Sequence, residues 1–131
     1  MAYEIPVFDL GTLVAGADLS GDQYRWVKMG TAGTAGKVVL CSAAGEIPLG
    51  ILQNCPRLGE SASVRILGVS KVVMAIAEVL VAGDMVGTAA TANAMKATTG
   101  QNTAGMMLEA GTGSTPAKAV GTVLLTTVGK V

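Results

Sequence analysis

A short turn segment is used twice in this chain. Gly30-Thr-Ala-Gly-Thr-Ala-Gly36 returns 57 positions later as Gly87-Thr-Ala-Ala-Thr-Ala-Asn93. The exchange of Gly36 for Asn93 is informative, because these two residue types tolerate the left-handed backbone of a tight turn between strands. The segments downstream of the two copies are also alike. The first copy leads to Gly50-Ile51-Leu52-Gln53, a loop through Pro56 and Gly59, and the alternating run Ala62 to Leu67. The second leads to Gly105-Met106-Met107-Leu108, a loop through Gly111, Gly113 and Pro116, and the apolar run Val120 to Leu125. Ala, Thr and Gly are frequent here, so the matched order of strands and turns carries more weight than the matched letters. The expected fold is all-β: a small β-barrel or β-sandwich built from a duplicated short-strand unit, with an extended N-terminal arm. The expected organisation is an arm or edge strand over 1–22 and a single β-domain over 23–131, with repeats at 23–68 and 79–128.

The apolar half of the chain is mostly Ala, Val, Leu and Met, and no aromatic residue occurs after Trp26. Aromatic side chains bury the most area each, so a body without them has a thin core and is expected to gain stability by self-association. Nine basic and nine acidic residues give zero formal net charge, and they are scattered singly. Phosphate neutralisation needs clustered Lys and Arg, so nucleic acid is not an expected partner. The start of the chain, with Glu4 and Asp9, does not read as a secretory signal. The apolar stretch Val72 to Ala82 is broken by Glu78 and is far short of the roughly 20 residues a membrane helix needs, so no membrane partner is expected.

Residues 1–22 place Tyr3, Ile5, Val7, Phe8, Leu10 and Leu13 among Pro6, Gly11, Gly16 and Gly21 without helical period. This reads either as a first strand on its own domain or as an arm that docks on a neighbour. From Gln23 to Met29, Tyr24, Trp26 and Lys28 alternate with Arg25, Val27 and Met29, the two-faced order of a strand. Val27 and Met29 suit the core, which puts Trp26 on the opposite face as a candidate interface anchor. The candidate protein-interface set is therefore Tyr3, Ile5, Val7, Phe8, Leu10, Tyr24 and Trp26. Strands are expected at Lys37 to Cys41, Leu49 to Gln53, Ala62 to Leu67, Met85 to Thr88, Ala94 to Thr98, Gly105 to Glu109 and Lys118 to Val128. The run Val72 to Gly83 reads as strand by its β-branched content or as a short helix capped by Gly83.

Chemistry-bearing motifs are sparse. There is no histidine to serve as base or metal ligand, and Cys41 and Cys55 match no zinc or redox spacing; they read as unpaired small apolar thiols. No catalytic site, no cofactor and no metal are expected. Ala94-Met95-Lys96 matches the tripeptide whose lysine is biotinylated in biotin carrier domains, which makes a biotin-carrier-like domain a lesser alternative.

The run Val27 to Val72 holds Ala43-Ala44-Gly45-Glu46, Leu49 to Asn54, Pro56, Gly59-Glu60 and Val64 to Val72, and later come Ala82 to Val86 and Gly105 to Leu108. In this order the chain resembles the capsid cement or decoration proteins of tailed bacteriophages, over roughly residues 23 to 127. The resemblance implies a non-enzymatic virion protein on the outer capsid surface, assembled in the host cytoplasm. It implies the major capsid protein as partner, a homotrimer as the working form, and bridging of capsomers as the activity. Another phage structural part, such as a head fibre base, a tail-tube or a baseplate protein, is the alternative. On this reading, removal of residues 1–10 weakens attachment to the shell and leaves the domain folded.

Overall fold

A computed structural model describes residues 8–113 and 119–130. Most of its strands are short and are separated by Gly, Pro, Asn and Ser, as expected for an all-β chain, while two, of 13 and 11 residues, are long. They are β1 (Phe8–Val14), β2 (Trp26–Met29), β3 (Val38–Leu40), β4 (Gly50–Leu52), β5 (Ser61–Val73), β6 (Val79–Leu80), β7 (Met85–Thr88), β8 (Ala94–Lys96), β9 (Asn102–Met107), β10 (Gly111–Thr112) and β11 (Val120–Lys130). One curled antiparallel sheet runs β3-β2-β4-β5-β11-β9-β7-β8, with β1 added alongside β5, and β6 and β10 form a separate ribbon.

From its two ends inward, this sheet repeats itself. The order β3-β2-β4-β5 on one side is matched by β8-β7-β9-β11 on the other, and the two units abut where β5 pairs with β11. The register repeats as well. Val27 faces Gly50 as Val86 faces Gly105, and Leu52 faces Val64 as Met107 faces Val123. Gly50 and Gly105 recur for a steric reason. A Cβ on Gly50 would meet the Arg65 carbonyl and lie 2.9 Å from Val64 Cγ1, and one on Gly105 would lie 2.6 Å from Val123 Cγ2 and 3.0 Å from the Leu124 carbonyl oxygen. The third strand of each unit thus crosses the long strand too closely for any side chain.

The repeated turn itself is less regular than its letters. Gly36 is left-handed, with φ of 76°, but in the second copy the left-handed residue is Ala92, with φ of 65°, and not Asn93. The Asn93 side chain is buried and its amide donates to Thr91 Oγ1 at 3.1 Å. The shorter second hairpin closes directly from Thr88 to Ala94, so the bend falls one residue earlier.

Two apolar clusters fill the interior. One gathers Ala15, Leu19, Val27, Val38, Leu52 and Val64, and the other gathers Trp26, Ile51, Val72, Leu80, Met107 and Val123 with their neighbours. Strands β2 and β4 stand between them, because Val27 and Leu52 point into the first cluster while Trp26 and Ile51 point into the second. These two strands form a wall covered on both faces, which requires apolar residues at consecutive positions. Each fully buried side chain of this size contributes about 1.5–3 kcal/mol.

The loop Cys41–Leu49 closes the curl by tying the first unit to the second. The Gly45 amide donates to the Thr88 carbonyl at 2.9 Å, the Asn102 side chain donates to the Gly45 carbonyl at 2.9 Å, and Thr88 Oγ1 donates to the Ala43 carbonyl at 2.9 Å. The stretch from Val72 to Gly83 contains no helix. Strand β5 ends at Val73, the chain turns through Ala77 with φ of 61°, and β6 begins at Val79. Met74 and Ala75 run along the edge of β8, where the Ala75 amide donates to the Ala94 carbonyl at 2.9 Å.

Candidate interaction surface

The first strand lies on its own domain. Phe8 faces Leu67 and Leu10 faces Val64 across the β1–β5 ladder. The Arg65 guanidinium clamps the Asp9 carboxylate with Nε to Oδ1 at 2.8 Å and Nη2 to Oδ2 at 3.2 Å, and this hydrogen bonding raises the arginine above its ordinary value. Phe8 and Leu67 are each about half exposed and lie directly opposite one another, so they present one apolar contact area. Leu10 is half-buried. Tyr3, Ile5 and Val7 lie outside the described residues.

Trp26 is not available to a partner. Strand alternation does place it opposite Val27, but that side is the second core and not solvent, and both residues are 0% exposed. The expectation of an interface anchor is therefore corrected. Met29, expected in the core, is instead exposed at the end of β2.

Tyr24 is half-buried and holds a left-handed backbone, with φ of 66°. A bulky residue rarely adopts this region, at a cost on the order of 1–3 kcal/mol. Two backbone hydrogen bonds pin it: its amide donates to the Leu52 carbonyl at 2.8 Å, and its carbonyl accepts from the Val73 amide at 2.9 Å. The ring is thereby turned into a cleft along the β5–β11 seam, with two adjoining hollows of about 450 and 330 Å³. Tyr24, Lys71 and Thr122 line both; Gln53 and Arg65 line the larger, and Glu109 the smaller. The Lys71 ammonium lies 5.8 Å from the centre of the Tyr24 ring.

Several other exposed apolar residues collect in two places, with Leu58, Met85 and Val120 exposed apart from them. Met29 and Ile47 flank a shallow hollow with Pro48 and Leu49, next to the Lys28–Glu46 ion pair at 2.9 Å. Ile76, Val79, Val81 and Leu108 are exposed near the β6–β10 ribbon. Partial burial pushes the Glu46 carboxyl up, but hydrogen bonds from Lys28 Nζ and from the Ala43 and Ser42 amides outweigh it and hold the group below its ordinary value. Asp84 is lowered chiefly by the Val81 amide and then by Lys96. The two cysteines are free. Cys41 is buried, and burial followed by the nearby Glu46 charge pushes its thiol up to about 12, so it stays protonated and unreactive at neutral pH; Cys55 is exposed. Lys96 ends strand β8 opposite Val86 and pairs with Asp84 at 3.3 Å. A carrier lysine needs the tip of a hairpin, and here that tip is Ala89–Asn93.

The fold is similar to that of a phage head fibre protein. The head fiber gp8.5 N base of bacteriophage phi29 superposes with a TM-score of 0.65 and 14% sequence identity, covering 94% of this chain and 95% of that one. No family model and no curated protein matches the sequence. At this identity what is shared is the fold.

Of the residues singled out from the sequence, Phe8 is exposed and Leu10 and Tyr24 are half-buried; their neighbours Leu67 and Lys71 were missed. Leu67 and Lys71 sit at outward positions of an alternating strand, where the period alone marks them as solvent-facing. Only the pairing of β1 with β5 shows that Leu67 extends the Phe8 patch.

Proposed function

We propose that this chain is a structural protein of a tailed-bacteriophage head, which binds the outer surface of the assembled capsid and bridges capsomers. The observation that carries the reading is a fold shared along nearly the whole chain with a phage head fibre base. The partner is the major capsid protein, and the working form is a homotrimer. Exposed apolar side chains on separate parts of the surface, Phe8 with Leu67 and Met29 with Ile47, supply the contact area that adhesion needs. A ligand that binds only the assembled lattice stabilises it by mass action, by about 2.7 kcal/mol per site at a hundredfold excess over Kd. The chain acts by adhesion and not by turnover.

The likeness to a head fibre base supports a second reading, in which the chain anchors a fibre to the head. One experiment separates the two. Purified protein is added to capsid shells that lack it, and sedimentation, shell melting temperature and occupancy are measured together. Cement co-sediments at many sites per shell and raises the melting temperature. A fibre base binds at fewer sites and leaves the melting temperature unchanged. Failure to bind shells at all overturns both.

A further inference from the structure

We propose that the Tyr24 cleft is a socket for an acidic side chain of a partner protein, with Lys71 as the residue that receives the carboxylate. The inference relies on the proposed function only for the identity of that partner. Strain is the first ground. Tyr24 is an aromatic residue held at φ of 66° by hydrogen bonds to Leu52 and Val73. The surrounding framework enforces a conformation that glycine or asparagine would adopt more readily, and it sets the ring against the second core cluster with its remaining surface lining the cleft.

Charge is the second ground. The larger hollow has two charged residues in its lining, Arg65 and Lys71, and both are cationic. Arg65 is already committed, with Nε and Nη2 to Asp9 and Nη1 to the Val69 carbonyl at 2.9 Å. Gln53 is likewise committed, its amide donating to Ser70 Oγ at 2.9 Å. Lys71 is exposed and makes no ion pair among the described residues; its described contact is the Tyr24 ring. The one carboxylate of the adjoining hollow, Glu109, accepts from Thr122 Oγ1 at 2.7 Å. A glutamate or aspartate entering over Val69 meets an ammonium with donors to spare, flanked by a guanidinium and an aromatic wall. The Glu109 end repels a second acid, so the cleft favours a single acidic side chain over an acidic run.

The test is a titration of the isotopically labelled protein with a short peptide holding one glutamate between serines, followed by amide chemical shifts. Shifts should concentrate at Tyr24, Arg65, Lys71 and Thr122. They should fall at least tenfold in apparent affinity in Lys71→Glu, persist in Lys71→Arg, and be absent with the glutamine version of the peptide. Unperturbed shifts elsewhere in each variant show that it is folded. No response at these residues, or an equal response in Lys71→Glu, overturns the proposal. Co-sedimentation of the wild type with shells is scored separately. If it fails, the capsid reading falls, while the peptide result still decides whether the socket exists.

Discussion

The indole of Trp26 fills the second core from a strand that belongs to the first unit, with 0% of its surface exposed. Truncation there leaves a cavity in a wall that both units lean on, so Trp26→Ala should cost about 3–5 kcal/mol of stability. Urea denaturation followed by circular dichroism reads this directly. Shell binding per folded molecule should not change, and a variant that folds normally but no longer binds would return Trp26 to an interface. Trp26 Nε1 has no hydrogen-bond partner among the described residues. Trp26→Phe gives up no described hydrogen bond and should cost well under half as much as the alanine variant. The burial of Trp26 was partly legible. Consecutive apolar pairs, Trp26-Val27 and Ile51-Leu52, are the mark of strands covered on both faces. In stretches of three or four residues this mark is hard to separate from an exposed aromatic, and only the paired register shows where the second face points.

At the scale of elements, the matched glycines give a graded expectation. Gly50→Ala drives a methyl into the Arg65 backbone carbonyl, which cannot yield without moving β5. Gly105→Ala first meets Val123 Cγ2, a side chain that can rotate. Both should destabilise, by about 1–3 kcal/mol, with Gly50→Ala the worse of the two in thermal melts. Equal, negligible effects would remove close strand crossing as the reason the pair recurs. The loop Cys41–Leu49 offers a pH test. The Glu46 carboxyl titrates lower when folded than its ordinary value of 4.5, so the folded state holds its proton less tightly than the unfolded state. Its stabilisation is therefore fully present above that ordinary value and is lost as pH falls through the lowered folded one. Wild type should exceed Glu46→Gln in stability at neutral pH, and the gap should close through the acid range below pH 4.5. A gap independent of pH would mean that the carboxylate charge plays no part. Strand order and hairpins were legible in the repeat because turn residues and alternation are local signals. The left-handed position in the second turn was not, since Ala92 carries no local preference for it and is held there by the hairpin around it.

The whole molecule is more tightly coupled than a duplicated unit implies. Two equal repeats read from sequence suggest two equal cores, yet β2 and β4 of the first unit complete the core of the second, and Gly45 crosses to Thr88 and Asn102. Neither unit can lose its structure without exposing the apolar surface of the other, which predicts one calorimetric transition for the intact chain, with van't Hoff and calorimetric enthalpies equal. Two resolved transitions would refute the shared wall. The same coupling changes what removal of the N-terminus should do. Deleting residues 1–10 takes away Phe8, Asp9 and Leu10, and with them part of the β1–β5 ladder and the Asp9–Arg65 clamp. That deletion should lower the melting temperature by several degrees, so any loss of shell binding would mix folding with attachment. Deleting residues 1–7 spares β1 and isolates the contribution of Tyr3, Ile5 and Val7. The melting temperature of the shorter deletion, read beside its shell binding, separates a folding effect from an attachment effect, because a stability change of about 1 kcal/mol in a domain of this size moves the midpoint by a measurable few degrees. Retention of the shorter deletion on shells should fall if those three side chains grip the lattice. Wild-type retention would instead place the grip within the described surface, on the Phe8–Leu67 patch, the Met29–Ile47 patch or the Tyr24 cleft, where every residue belongs to the folded sheet or its loops.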